Sequence, residues 1–520
     1  MKLNLARRNF VWLAALFALL AGLTPIAGNA RKLEPIVFAV KFSAPETHFA
    51  EVTATVPTEK RASIELMMPI WSPGFYRVED YAGKVQELAA RTPEGKLLTV
   101  EHPQKNRWRI QTNGASSVIV SYRLFCNSRS VTTNWVGEDL AVLNGAATFV
   151  TLVEKTARPH DIRLELPPNW KQAMTALESR QPNQFRAADF DTLADSPIVA
   201  GNLSVREFDV AGSKHVLVDA GDYKQWDAQR GAQEIEKIVR ATHQFWSFLP
   251  FKRYVFLNVF RQGGGGLEHK DSTLLTSSPR MTAPGYGWLG FVSHEYFHAF
   301  NVKRLRPVEL GPFDYEHPPN TGSLWISEGL TTYFGELMVA RAGIGTTQDY
   351  LNSVSSHIRQ LQTSPGRLLQ TLEDSSLDVW NSGTSGVGRD TATKVSYYVK
   401  GPVVGFLLDA RIQRLTNGKK SLDDVMRLAY KRYSGARGFT AEQFRKTAEE
   451  VAGADLKDWF RKALASTEEL DYSEALDWYG LQFSALDEKQ PTKNWSLGIR
   501  EGATEAQKIR LQLLTGNRIR

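Results

Sequence analysis

From Glu34 to about Val210, apolar and polar residues alternate in short runs broken by Pro, Gly and Asn. Ile36–Phe42, Ala50–Val56, Ser63–Met68, Trp108–Gln111, Ser117–Phe125 and Asp161–Leu166 all carry this pattern, which predicts strands. Their spacing predicts a β-sandwich or related two-sheet domain. Trp71, Tyr76 and Trp135 suit its core or an interface better than a binding platform. After Asp222 the period changes. Gly231–Leu249 places Ile235, Ile238, Val239, Thr242, Phe245 and Trp246 on one helical face, with Pro250 expected to end it, and Tyr254–Phe260 reads as a strand. From Thr346 onward helices dominate: Gln348–Gln362, Tyr397–Leu415, Ser421–Tyr433, Thr440–Ala452 and Leu456–Ala465. The Gly- and Ser-rich stretch Asn381–Asp390 is expected to be a loop. The fold class is therefore multidomain α+β: a β-sandwich-like domain over residues 31–215, a mixed strand-and-helix domain over 216–345, a helical domain over 346–480 that closes one side of a cleft, and a tail over 481–520.

The first thirty residues change the picture at the amino end. Lys2, Arg7 and Arg8 give a positive start, Phe10–Leu23 is apolar but short for a membrane span, and Gly28-Asn29-Ala30 offers small residues at the positions a signal peptidase inspects. Cleavage after Ala30 is expected, which makes the protein exported, periplasmic or secreted, with no stable membrane span; retention as an anchor is the alternative. A single cysteine, Cys126, excludes an internal disulfide and leaves either redox compartment open. Net charge is +7, yet the basic residues are scattered among 56 acidic ones, and no basic block interleaves with aromatics. Nucleic-acid binding therefore has no support. Lys303, Arg304 and Arg306 form the densest basic cluster and are expected to pack and pair beside the functional site.

Candidate chemistry concentrates in His294-Glu295-Tyr296-Phe297-His298. Two histidines four apart share one face of a helix, so both imidazoles can reach one metal ion. Glu295 is placed to act on a water at that metal rather than to ligate it. A hydrolytic zinc site takes three protein ligands, and two His with one Glu is a frequent set. Glu328, near the start of the helical segment Trp325–Phe334, is the expected third ligand. Glu309 and Glu316 fall in a Pro- and Gly-rich loop, and Glu336 lies one or two turns too far along. The alternative for Glu328 is a helix-start acid favoured by the macrodipole.

Ser293 to His298, continuing into Asn301-Val302-Lys303-Arg304-Leu305-Arg306-Pro307, with Trp325-Ile326-Ser327-Glu328-Gly329 downstream, resembles the glycyl aminopeptidase family of zinc metallopeptidases. These are relatives of thermolysin and of the larger zinc aminopeptidases. Three further segments resemble the family: Pro69-Ile70-Trp71-Ser72-Pro73-Gly74-Phe75-Tyr76, Gly265-Gly266-Leu267-Glu268-His269 and Tyr398-Val399-Lys400-Gly401. The likeness runs from about Val37 to Tyr479. It implies a thermolysin-like catalytic domain with one Zn²⁺ per chain on His294, His298 and Glu328, and Glu295 as the base. It also implies that Gly265, Gly266 and Glu268 bind a peptide with a free amino terminus, and that Tyr398 donates to the oxyanion, with Tyr397 as the neighbouring alternative. Small terminal residues, glycine and alanine foremost, are the implied substrates. Many relatives add a PDZ domain. Trp495-Ser496-Leu497-Gly498-Ile499 resembles its first strand, but the residues that follow are too few for one, so the module is absent, cut short or a remnant.

Two rival readings stand beside this one. An endopeptidase of the same clan would use Glu268 to shape the cleft without reading a terminus. A catalytically silent zinc-containing scaffold would capture peptides without cutting them, although Glu295 and a tyrosine at the expected spacing argue against it.

Overall fold

The computed structural model describes residues 33–154, 157–381, 391–484 and 494–516. The expected leader and most of the expected loop at 381–390 lie outside the described residues.

The alternating runs become strands close to where the pattern puts them: Ile36–Lys41, Phe49–Pro57, Ser63–Met67, Arg107–Gln111, Ser117–Phe125 and His160–Glu165. They enter an eight-stranded sheet and one of two four-stranded sheets. In the large sheet Ile36–Lys41 runs parallel to His160–Glu165 on one side and antiparallel to Phe49–Pro57 on the other. Along Ser117–Phe125 the pleat sends Val118, Val120, Tyr122 and Leu124 inward to meet Phe38, Ile64, Trp108 and Phe149. Strands such as Leu140–Leu143 and Ile198–Gly201 are buried on both faces, so they carry no alternation. A short helix, α1 (Phe190–Ala194), is capped by Asp189, whose side chain accepts from the Thr192 amide, and it delivers Asp195 towards the next sheet.

That next sheet has five strands, ordered Ser204–Val210, Ser213–Gly221, Arg253–Phe260, Ser272–Ser277 and Gly266–Glu268. The boundary expected between residues 215 and 216 falls inside its second strand. Ser213–Gly221 pairs antiparallel with Ser204–Val210 and parallel with Arg253–Phe260. Val216 and Val218 pack with Val255 and Leu257, so the hairpin belongs to this sheet. Ser213–Gly221 is buried along nearly its whole length, so no alternation in it marks which sheet it joins. Gly266–Glu268 is the edge strand, paired on one side with Ser272–Ser277.

Helix α2 (Ala228–Trp246) begins at the Asp227 cap and ends on Ser247 in the left-handed conformation, short of Pro250. Then come α3 (Tyr286–Phe297), α4 (Leu330–Arg341), α5 (Thr347–Thr363) and α6 (Tyr397–Leu415). A capping box between Thr346 and Asp349 starts α5, and Ser396 caps α6. One hydrophobic core joins α2 to α6 and continues to Leu511 and Leu514, so no seam in the packing follows residue 345. The segment expected as a tail is built into this region. Leu497–Ile499 pairs antiparallel with Leu481–Phe483, and the Leu514 carbonyl accepts from Arg341 at 3.0 Å. Among the described residues no helix is long and apolar enough to cross a membrane.

Candidate active site

Helix α3 carries His294 and Glu295 and closes on His298 as its carboxyl-terminal cap. It buries Leu289, Val292, Tyr296 and Phe297 together, as a helix inside a core does. Ahead of α4 the chain makes one π turn, Trp325–Gly329, and this turn presents Glu328. Such turns recur at functional sites because they re-aim a side chain at the cost of local hydrogen bonding. The Asn301 amide offsets that cost by donating to the Ile326 carbonyl at 2.7 Å and to Thr331 Oγ1 at 2.9 Å. Gly329 also lies against Gly401 of α6, where a Cβ on either would come within 2.7 Å of the other's Cα. This glycine-on-glycine crossing brings the start of α6, with Tyr398, up to the site.

His294 Nε2 and His298 Nε2 lie 3.0 Å apart, and Glu328 Oε2 lies 3.2 Å from the second and 3.6 Å from the first. Ligand atoms about 2.0–2.2 Å from zinc at tetrahedral angles sit about 3.3 Å from one another, so this triangle matches three corners of a zinc site. The imidazole tautomers agree. Thr332 Oγ1 donates to the Glu328 carbonyl at 2.9 Å, so it accepts from His294 Nδ1 at 3.2 Å. The Asn301 carbonyl accepts from His298 Nδ1 at 3.0 Å. Both Nε2 lone pairs are thereby left for a metal. The other Glu328 oxygen, Oε1, accepts from the Tyr76 hydroxyl at 3.0 Å. Tyr76 comes from the β-rich amino-terminal region; it is a site partner as well as the core aromatic expected from sequence.

Glu295, buried to 5% exposure, faces the edge strand; a Cβ on Gly266 would collide with its carboxylate. Glu268, at the end of that strand, is buried to 3% and offers an oxygen within 4.8 Å of ligand atoms of Glu295 and His298. Glu295 Oε2 and Glu268 Oε1 have no hydrogen-bond partner among the described residues. Both carboxylates border a cavity of ≈ 780 Å³, lined also by Gly265, Gly266, Phe291, His294, Glu328 and Tyr398. The Tyr398 ring stands 6.2 Å from that of His294, whereas Tyr397 is fully buried.

The electrostatics describe a pocket short of positive charge. Burial works against a charge on His298, but Glu328, Glu268 and Glu295 outweigh it and push the imidazole up to about 9. Burial also raises Glu328, yet His298 and His294 overcome it and hold that carboxyl well below its usual range. Glu295 is raised well above its ordinary value by burial, with Glu268 and Glu328 adding to the effect. Burial and the nearby Glu328 likewise keep the Tyr398 phenol protonated, hence a hydrogen-bond donor. A cation held between the two Nε2 atoms and Glu328 answers this arrangement.

The other acids weighed from sequence are engaged elsewhere. Thr321 donates to Glu309 at 3.3 Å, Arg107 to Glu316 at 2.8 Å, and Glu336 pairs with His357 at 2.8 Å. The basic cluster is paired as expected for Lys303, which meets Asp195 at 2.9 Å, and for Arg304, which meets Asp271 at 2.7 Å. Sequence reasoning gave no site role to Tyr76, Thr332, Asn301 or Asp195; all but Asp195 act on the ligands through hydrogen bonds that no spacing rule encodes.

Residues 37–202 match the Peptidase M61 N-terminal domain profile, and residues 287–404 match the M61 glycyl aminopeptidase profile. An aminopeptidase N family protein from Idiomarina loihiensis superposes with a TM-score of 0.81 at 27% identity, over 86% of this chain and 78% of that one. Yeast LTA4 hydrolase (TM-score 0.51, 16% identity, 86% and 70% of the two chains) shares the fold. So does an M1 zinc metallopeptidase from Deinococcus radiodurans (0.51, 14%, 85% and 95%). No curated protein sequence matches the chain.

Proposed function

The chain belongs to the M61 glycyl aminopeptidase family and is a peptidase, and from that premise we propose that it is a zinc-dependent aminopeptidase releasing small amino-terminal residues, glycine and alanine foremost, from peptides. The observation that carries this reading is Glu268: a buried carboxylate whose Oε1 has no hydrogen-bond partner, on an edge strand, within reach of Glu295 and His298. His294, His298 and Glu328 would hold zinc, which supplies Lewis acidity that polarises the scissile carbonyl and acidifies water.

The chain's own groups do the rest. The peptide lies along Gly265 and Gly266 as an added strand, since glycine lets the two backbones approach closely. Glu268 pairs with the substrate's ammonium and so sets the cut one residue from the end. Glu295, whose proton affinity is raised by burial, takes the proton of the attacking water and passes it to the leaving amine. Tyr398, protonated, donates to the oxyanion that forms on the carbonyl oxygen, an interaction strongest in the transition state. The ligands and base in residues 216–345 support a thermolysin-like catalytic role for that region, and the leader pattern supports export from the cytoplasm.

One observation favours the endopeptidase reading. Lys303 Nζ stands 3.9 Å from Glu268 Oε1, so Glu268 already has a cation of the chain's own nearby. Tripeptides that differ in their first residue, each with a free or an acetylated amine, separate the two. Release of single glycine or alanine from the free series alone supports the aminopeptidase; equal cleavage of both series supports the endopeptidase.

A further inference from the structure

Lys303 lies just past the metal-binding helix, with its amide donating to the His298 carbonyl at 3.1 Å and its side chain only 6% exposed. Its ammonium meets three segments far apart in sequence: Asp195 Oδ1 at 2.9 Å, the Pro73 carbonyl at 3.3 Å and Glu268 Oε1 at 3.9 Å. Each of these segments bears on Glu268. Pro73 belongs to the turn that sets Gly74, at φ +100°, over the Glu268 carboxylate, where a Cβ would collide with it. Asp195 accepts from the Lys270 amide at 2.7 Å and pairs with His269 Nδ1 at 3.1 Å, which fixes the two residues that follow Glu268. Lys270 and Arg261, the cations nearest Glu268 in sequence, do not serve it; Arg261 donates to the Arg129 carbonyl instead.

We propose that Lys303 is a positioning residue for amine recognition: anchored by Asp195 and by the Pro73 carbonyl, its ammonium holds the Glu268 carboxylate in place to meet the substrate's amino group. At 3.9 Å the contact is an attraction without a hydrogen bond, so Glu268 is oriented while its acceptor capacity stays free. Asp195, from the β-rich amino-terminal region, thus takes part in reading the substrate's amine without touching it. This inference rests on the aminopeptidase reading above.

The test is steady-state kinetics of Lys303→Met and Lys303→Arg on a free-amine alanyl peptide and its acetylated counterpart, with zinc content and melting temperature measured alongside. Misplacement of a recognition group by about 1 Å can cost a hundredfold, so Lys303→Met should raise KM about 10- to 100-fold. Its kcat should stay within about threefold and its zinc content should be unchanged, because the ligands and base are untouched. Preference for the free amine should shrink, and Lys303→Arg should recover part of it. Should Lys303→Met not fold, Asp195→Asn, which leaves the lysine but weakens its anchor, should raise KM in the same way. An unchanged KM and amine preference, or a fall in kcat that follows zinc loss, overturns the role of Lys303 alone. A wild-type enzyme indifferent to acetylation overturns the amine reading and this inference together.

Discussion

Tyr76→Phe removes one oxygen from a fully buried contact and leaves the ring against Trp380, whose centroid is 6.1 Å away. The lost hydroxyl donates to Glu328 Oε1 at 3.0 Å, and hydrogen bonds to charged groups contribute about 1.5–3 kcal/mol. That figure is a ceiling for the effect on metal affinity, because the bond exists with and without metal. What shows in affinity is the part that fixes the carboxylate's orientation. Losing such an outer partner weakens metal binding about 10- to 100-fold, or about 1.4–2.7 kcal/mol, which lies under the ceiling. Zinc competition against a chromophoric chelator should therefore give a Kd about 10- to 100-fold above wild type, with a modest fall in the melting temperature of the metal-free protein. A Kd within about twofold of wild type would refute the claim that the β-rich region helps hold the metal ligand.

Glu295→Gln keeps the shape of the base without its proton acceptor, so zinc content should hold while turnover falls by about 10²–10⁴-fold, whereas Glu328→Gln should lose metal; the reverse pattern in metal analysis would swap the two roles. Glu268→Ala should cost about 2–5 kcal/mol on free-amine peptides, or roughly 30- to 5,000-fold in kcat/KM, and acetylating the substrate should add nothing further, since both changes delete one interaction. Burial pushes the Asp409 carboxyl up to about 6. The unfolded chain releases that proton near pH ~3.9, so this residue's contribution falls by about 2 kcal/mol as pH rises from about 4 to 6, and by about 3 kcal/mol in all at higher pH. Denaturant titrations of wild type and Asp409→Asn across that window should show the slope in the first and its loss in the second.

Much of the site is legible in sequence because helical geometry is local. His294 and His298 need only their spacing to share a face, and Glu328 stands out as the acid near the start of a helical segment, whereas Glu268 is legible only through its likeness to the family's motif. The strands are legible where one face is buried and one is wet, as in Ser117–Phe125. Ile198–Gly201, buried on both faces, is not. Partnerships across long separations leave no local trace. The boundary set at residue 215 cuts Ser213–Gly221, and only its pairing with Arg253–Phe260 shows that the whole strand belongs to the second sheet. Tyr76 reads as a core aromatic and is one, yet its hydroxyl reaches Glu328 across the fold. Gly329 and Gly401 can be quoted as motif positions, but their reason is a single crossing of two chain segments.

The most direct measurement of the central claim follows the products of the purified protein by mass on a mixture of unmodified peptides, with a chelator, without it, and with zinc restored after chelation. The account predicts ladders shortened one residue at a time from the amino end, beginning with peptides that start in glycine or alanine, lost on chelation and regained with zinc. Internal fragments in place of ladders, or ladders that persist in the chelated protein, would contradict it.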